Sequence, residues 1–203
     1  GVDSAVDGMD GSPACFSLNL CGSSMNTNYN DGDALSGNSV GYSNSIGGIS
    51  FNITRGMEVA TAAEVAATVG DAGTAAVEGH ESVMSYAAST SIMGATVKAG
   101  VSTIDYNGTT ADVDPSFVTV AYSIAGLNLG YAVYDSDNGG EETQMGVGTS
   151  VAGMNAGVTF ASADKTTDVD YMRVSLSKGM GAASFGLDYT ETDVSGTDTG
   201  DTD

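Results

Sequence analysis

Basic residues are scarce in this chain. Its 203 residues include five Lys plus Arg against 26 Asp plus Glu, which gives a formal net charge of −21. Binding to nucleic acid requires Lys and Arg to replace the counterions on phosphate, so the composition argues against a nucleic-acid partner. The same scarcity disfavours docking on an anionic leaflet through a polybasic patch. The hydrophobic share of 41% is nevertheless large enough to bury surface, which argues against disorder.

Residues for enzyme and metal chemistry are also few. His80 is the only histidine, and the sequence has no Gly-x-Ser-x-Gly, no Walker glycine loop and no Cys-x-x-Cys pair. A His-based catalytic triad is therefore excluded, and we expect no enzyme. Cys15, Cys21 and the distant His80 are too few ligands for a zinc site. No apolar run is long enough for a transmembrane helix.

The acids are sorted along the chain. None occurs in the ranges 34–57, 82–104, 115–134, 143–163 and 171–187. Acids fill the segments between these tracts, for example Asp135, Asp137, Glu141 and Glu142. A soluble acidic protein usually places some acids on the solvent face of its strands. This distribution instead predicts acidic loops between uncharged strands.

Within the acid-free tracts, apolar and small polar residues alternate. Val118, Val120 and Tyr122, for example, alternate with Thr119 and Ala121. Such a period of two predicts strands with one apolar and one polar face. Each tract holds two strands around a short turn that contains glycine, which predicts five hairpins and ten strands. The predicted turns are 45–48, 91–94, 125–126, 152–153 and 178–181.

Two all-β architectures fit this pattern. Strands of about nine to eleven residues, short turns alternating with long loops, and a polar face almost without charge favour a transmembrane antiparallel β-barrel. The alternative is a secreted or cell-surface β-sheet protein with a structural or adhesin role. Packing of Leu127, Leu129 and Val133 against a second sheet would favour that alternative.

A short motif resembles a known family. Residues 37–42 read Gly-Asn-Ser-Val-Gly-Tyr, and residues 46–51 read Ile-Gly-Gly-Ile-Ser-Phe. This passage resembles the Gram-negative general porins, which are trimeric barrels of 16 strands. The resemblance implies an outer-membrane channel for passive diffusion of ions and small hydrophilic solutes, with the lipid bilayer and two further copies as partners.

The resemblance also implies a division of the chain. Residues 1–37 correspond to the constriction loop, 38–191 to ten strands of a larger barrel, and 192–203 to an acidic extracellular loop or tail. Strands six to fifteen of the family would then be present. The alternative is that the ten strands close by themselves as a smaller barrel.

The few basic residues are the candidates for setting selectivity. By strand parity, Lys98 and Arg173 point into the lumen, and Tyr171 shares the face of Arg173. Arg55 should lie at the extracellular rim, and Lys178 at a periplasmic turn. The resemblance implies that acids of the constriction loop face the lumen bases. The candidates are Asp31, Asp33 and Asp10.

Two loop features remain open. Cys15 and Cys21 would form a small disulfide in an oxidising compartment, or stay as two free thiols. The segment around Asp135, Asp137 and Glu141 partly resembles a calcium loop, but it lacks the full spacing. The alternative is that these residues are ordinary surface acids of a hairpin loop. Weak calcium binding by them stays open. We expect no other cofactor, and the acidic loops predict a preference for cations.

Overall fold

The computed structural model describes residues 39–56, 80–106, 111–137, 140–164, 168–180 and 183–195. These ranges form ten strands. They are β1 (Ser39–Ile46), β2 (Ile49–Gly56), β3 (His80–Ile92), β4 (Ala95–Tyr106), β5 (Ser116–Ile124), β6 (Leu127–Asp135), β7 (Glu141–Val151), β8 (Met154–Asp164), β9 (Asp168–Met180) and β10 (Ala183–Ser195).

The ten strands make one antiparallel sheet in which each strand pairs with its neighbours in sequence. The predicted all-β class and the prediction of ten strands in five hairpins are therefore confirmed. Strand lengths run from 8 to 13 residues, so some strands exceed the expected nine to eleven. Among the described strands, β1 and β10 form the two edges and do not pair with each other.

Four of the connections are two-residue turns with positive φ at both positions. The second position is always glycine, as in Ala125-Gly126, where φ is 52° and 81°. This is the turn whose twist matches that of the flanking strands. The pairs Gly47-Gly48, Met93-Gly94 and Ala152-Gly153 have the same form. These turns all connect odd-numbered to even-numbered strands, so they gather at one end of the sheet, called here the short-turn end.

One face of the sheet exposes large apolar side chains across all ten strands. Leu129 and Val147 are paired across β6 and β7, and Phe160 lies diagonal to Val147 on β8, yet the three side chains are 39–46% exposed. A soluble protein rarely leaves so large a contiguous apolar surface uncovered. We call this surface the outer face.

The opposite, inner face carries small and polar side chains. Serine, threonine, glycine and alanine dominate it, and hydroxyl groups pair across strands, as in Ser85 Oγ···Ser102 Oγ at 2.9 Å and Ser45 Oγ···Ser50 Oγ at 2.9 Å. Small side chains allow the sheet to curve toward this face. The inner face is most buried toward the long-loop end, where Phe117 and Tyr134 are both 2% exposed.

The acids do not lie only in loops, which corrects the sequence-based expectation. Many sit inside the strands at the end opposite the short turns, among them Asp105, Asp135, Asp164, Asp170 and Asp193. These five share the outer face with the apolar side chains. The physical reason is that the strands extend past the apolar region, so their ends carry polar outer residues. Acids thus mark one border of the apolar surface.

Two predicted boundaries differ from the structure. Lys178 belongs to β9, where it pairs with Met154 and Phe185, and does not lie in a turn. The pairing of Met180 with Ala183 leaves only residues 181–182 for the connection. At the other end of β10, the strand continues to Ser195 and so includes the start of the range 192–203. In the described ranges, no helix is long and apolar enough to cross a membrane.

Candidate functional site

Among the side chains that the structure describes, four charged ones lie on the inner face of the strands. They are Lys98 on β4, Glu142 on β7, Arg173 on β9 and Asp188 on β10. Strand alternation places them there, because each shares the parity of buried serine, threonine or glutamine residues in its own strand or its partner. We call these four residues the charged zone. It contains two cations and two anions.

The strand register places the charged zone on adjacent levels. A rung is defined here as a set of residues that the register aligns across the sheet. On β7, the rungs pass through Glu142, Gln144, Gly146 and Gly148. Glu142 lies on the first of these rungs. Lys98 lies on the rung of Gln144, Arg173 on that of Gly146 and Asp188 on that of Gly148. Adjacent inner rungs are about 6.6 Å apart along a strand, so the zone spans roughly 20 Å.

Within this zone, Arg173 and Asp188 are diagonal neighbours. Arg173 pairs with Thr190, and Ser175 pairs with Asp188, so roughly 7–8 Å separates the two charged residues along the diagonal. Arg173 donates its Nε–H to Thr190 Oγ1 at 3.1 Å. The Oδ1 atom of Asp188 is buried and accepts no hydrogen bond from the described residues. The two groups therefore place opposite charges side by side on one wall.

Glu142 lies deeper than the other charged groups, at 6% exposed. Its carboxylate accepts a hydrogen bond from Gln144 Nε2, and Gln144 is itself only 2% exposed. Tyr134 pairs with Glu142 across the sheet and belongs to an apolar cluster with Phe117, Ala87 and Ala132. Glu142 is thus hydrogen-bonded to Gln144 and lies beside the apolar cluster that contains Tyr134.

Lys98 lies apart from Arg173. They are on β4 and β9, five strand spacings of about 4.8 Å, or roughly 24 Å, along the sheet. Lys98 is half-buried, and its direct cross-strand partners are Ser89 and Thr119. Tyr171, on the rung of Lys98, is half-buried on the inner face of β9. The two bases therefore stand on separate parts of the wall and do not form a single cluster.

The two rim residues lie on the outer face. Arg55 is exposed near the end of β2 and pairs with Val40 and Met84. It lies near the long-loop end of β2, and its predicted place at an extracellular rim stays a prediction. Lys178 is exposed near the short-turn end of β9. The outer face thus carries these two bases near opposite ends of the strands.

Asp135 and Asp137 have structural partners. Asp135 Oδ1 accepts a hydrogen bond from the amide of Asp137 at 2.8 Å, and Asp137 Oδ2 accepts one from the amide of Asp114 at 3.1 Å. This Asx-type turn accommodates the φ of 63° at Asp137. In the described part of the chain, no three His, Cys, Asp or Glu side chains, Glu141 included, converge as metal ligands would.

Five candidate residues lie outside the described ranges. Asp10, Asp31 and Asp33 were the predicted constriction acids, and Cys15 and Cys21 the predicted disulfide. The facing of acids and bases across a constriction therefore stays a prediction.

Two functional candidates were missed from the sequence. Glu142 was assigned to an acidic loop, but it lies in β7 and is buried on the inner face. Asp188 lies on the inner face of β10, opposite Ser175, and is not among the residues predicted from the sequence. The parity of Glu142 with Gln144, Gly146 and Gly148 could have revealed the first. The parity of Asp188 with Gly186 and Ser184 could likewise have revealed Asp188 as an inner-face residue.

The exposed apolar face also separates the two architectures considered from the sequence. Leu127 and Leu129 are 42% and 40% exposed, and the described strands form a single sheet. These side chains do not pack against a second sheet in the described ranges. The structure therefore defines the class of the protein as a β-barrel wall with an apolar outer and a polar inner surface.

Comparison with known proteins agrees with this class. No protein-family model matches the sequence, and neither does a curated protein. The fold is similar to that of a porin of known structure, with a TM-score of 0.54 and 17% sequence identity. The similarity covers 75% of this chain and 55% of the porin chain, so this chain spans about half of that protein. At this identity the likeness shows a porin-like fold.

Proposed function

We propose that this protein is an outer-membrane porin of a Gram-negative bacterium. Its barrel would allow passive diffusion of ions and small hydrophilic solutes. The observation that carries the proposal is the division of one sheet into an exposed apolar face and a small, polar inner face. Lipid suits the first surface and water the second. Antiparallel pairing satisfies the backbone groups between strands, as a hydrocarbon environment requires.

Transport through such a wall needs no catalytic chemistry. Solutes would pass along the inner face, where hydroxyl groups replace part of their hydration. The charged zone would then distinguish solutes by sign, because fixed charges in a narrow, low-dielectric channel act more strongly than in bulk water. Lys98 and Arg173 would attract anions locally, and Glu142 and Asp188 would attract cations.

The proposed channel prefers cations. The charged zone has two acids and two bases, so its formal charge is zero. The long-loop ends of the strands instead carry many acids, in line with the net charge of −21. A mouth lined by one sign of charge raises the local concentration of the opposite ion.

The proposal includes the assembly that the sequence resemblance implies. The protein would act as a homotrimer, with these ten strands as part of a 16-stranded barrel. The resemblance at residues 37–51 and the porin-like fold support this extension. Weak calcium binding by the acidic loops stays part of the proposal, because clustered acids repel one another without a counterion. Cross-linking in native membranes would test the trimer.

A planar bilayer experiment tests the channel and its preference. Protein refolded from the full chain is added to one side of a bilayer that separates two KCl concentrations. We expect stepwise conductance and a reversal potential of the sign for K⁺ over Cl⁻. Folded, membrane-inserted protein without conductance would contradict the channel. An anion-selective reversal potential would contradict only the argument from the acidic mouth.

A further inference from the structure

A groove of about 450 Å³ crosses the outer face between β2 and β5. Its floor is formed by Ala88 and Ala99, which are paired across β3 and β4. Larger apolar side chains border this floor: Phe51, Tyr86, Val101 and Val118. The groove exists because two of the smallest side chains stand opposite each other in a row of large ones.

The position of the groove limits what can occupy it. It lies on the exposed apolar face, where Tyr86, Val101 and Val118 are 38–46% exposed. If the proposed function is correct, this face contacts lipid. The occupant must then be apolar along the groove itself, and a hydrocarbon chain meets that requirement.

Arg55 adds a polar end to this groove. It follows Phe51 and Ile53 on the same face of β2, one outer-face position beyond the groove. Arg55 pairs with Met84, the outer-face residue next to Tyr86 on β3. A guanidinium here stands at the long-loop border of the apolar surface, where a lipid headgroup begins.

Among the described side chains, no acid lies beside Arg55. In the described ranges it takes part in no ion pair, and β1 and β2 carry no acid. Asp105 is the acid on the described outer face of β4. It lies two strands away, and its carboxylate accepts a hydrogen bond from Ser82 Oγ at 2.6 Å. Other strands carry acids at the same border, so Arg55 is of opposite sign to the border acids on the described strands.

We infer that the groove and Arg55 together form a binding site for a phosphate-bearing anionic lipid. One acyl chain would lie over Ala88 and Ala99, and the phosphate would accept hydrogen bonds from the guanidinium of Arg55. Arginine suits this role because its planar donors fit phosphate oxygens in pairs. The site rests on the proposed membrane location, but it adds a specific lipid to a general bilayer contact.

A lipid fits the observations better than free phosphate or a second copy of the chain. Free phosphate would use only Arg55 and leave the groove empty. If a second copy of the chain placed its acidic border against Arg55, the protein would show no preference among lipids. The combination of an apolar groove and a cation at its polar end matches an amphiphile.

Native mass spectrometry of the refolded full chain tests this site. The protein is titrated with phosphatidylglycerol or with phosphatidylcholine of identical acyl chains. We expect one phosphatidylglycerol to be retained preferentially, and Arg55→Gln to weaken its apparent affinity about fivefold. Ala99→Phe, which fills the groove, should weaken both lipids, because it removes the space for the chain.

Matched variants control for charge and for bulk. Lys178→Gln also removes one outer-face cation, but near the short-turn end, and Ala156→Phe adds the same bulk on the outer face of β8. Both should leave the phosphatidylglycerol preference unchanged. Equal losses from Lys178→Gln, or no preference in the unchanged protein, would overturn the inference. Competition by inorganic phosphate without any effect of Ala99→Phe would indicate an ion site, and would also overturn it.

The experiment separates this inference from the proposed function. Each variant is checked for membrane insertion and conductance before lipid is counted. A protein that inserts and conducts but shows no lipid preference contradicts only the lipid site. A folded protein that does not insert contradicts both.

Discussion

The outer and inner faces of this sheet are built on the same backbone but contain different chemistry. Leu129 on the outer face is 40% exposed, whereas its neighbours Gly130 and Asn128 point to the inner face. In a soluble protein the apolar face would be the covered one. Here the more buried side chains include Ser85, Thr119, Gln144 and Thr159. Most of the large apolar side chains of the described strands therefore face outward.

The inversion explains why burial alone does not identify a conventional core. Most of the described buried apolar residues form two small clusters, one around Phe117 and Tyr134 and one around Val83 and Ile104. Stability must therefore depend largely on strand pairing and on the solvent around the outer face. Lipid would provide what a hydrophobic core provides in a soluble domain.

The largest predicted effect compares adjacent residues on opposite faces. Leu129→Lys places a cation on the outer face and should destabilise the protein by about 2–4 kcal/mol in lipid vesicles. Asn128→Lys makes the same charge change on the inner face and should cost less than about 1 kcal/mol. Urea unfolding in vesicles measures both. Equal costs would remove the distinction between the faces.

A smaller effect concerns the buried hydroxyl pair of Ser85 and Ser102. Ser85→Ala should cost about 1 kcal/mol, because it removes one partner of a buried hydrogen bond. Ser45→Ala changes the equivalent exposed pair with Ser50 and should cost less than about 0.5 kcal/mol. A double-mutant cycle with Ser102→Ala separates the pair energy. Equal single costs would show that the inner face is uniformly hydrated.

The smallest predicted effect on stability is that of Lys98→Gln, which should instead change ion selectivity. Lys98→Gln removes an inner-face cation and should raise the permeability ratio of K⁺ to Cl⁻ about twofold. Lys178→Gln removes an outer-face cation and should leave that ratio unchanged, since lipid-side charges are distant from the ion path. Reversal potentials in a KCl gradient report both. A shift from Lys178→Gln as large as that from Lys98→Gln would contradict the assignment of faces.

Much of this architecture is predictable from alternation and glycine placement. The ten strands and the turns at Ala125-Gly126 and Ala152-Gly153 follow from period-two patterns and local backbone preference. The inner-face positions of Lys98 and Arg173 follow from the same parity. The predicted position of the turn after β9 is wrong. Gly179 and Gly181 are both residues that favour turns, and only the pairing of Met180 with Ala183 shows where the turn lies.

The strands, their two faces and the placing of acids toward one border follow from the order of residues, because these features depend on local spacing along one strand. Which residues meet across strands follows only from the folded sheet. It placed Asp188 diagonal to Arg173, buried Glu142 against Gln144, and paired Ala88 with Ala99 beneath the groove. Register decides such contacts, and register is the joint result of turn geometry and cross-strand pairing over the whole sheet.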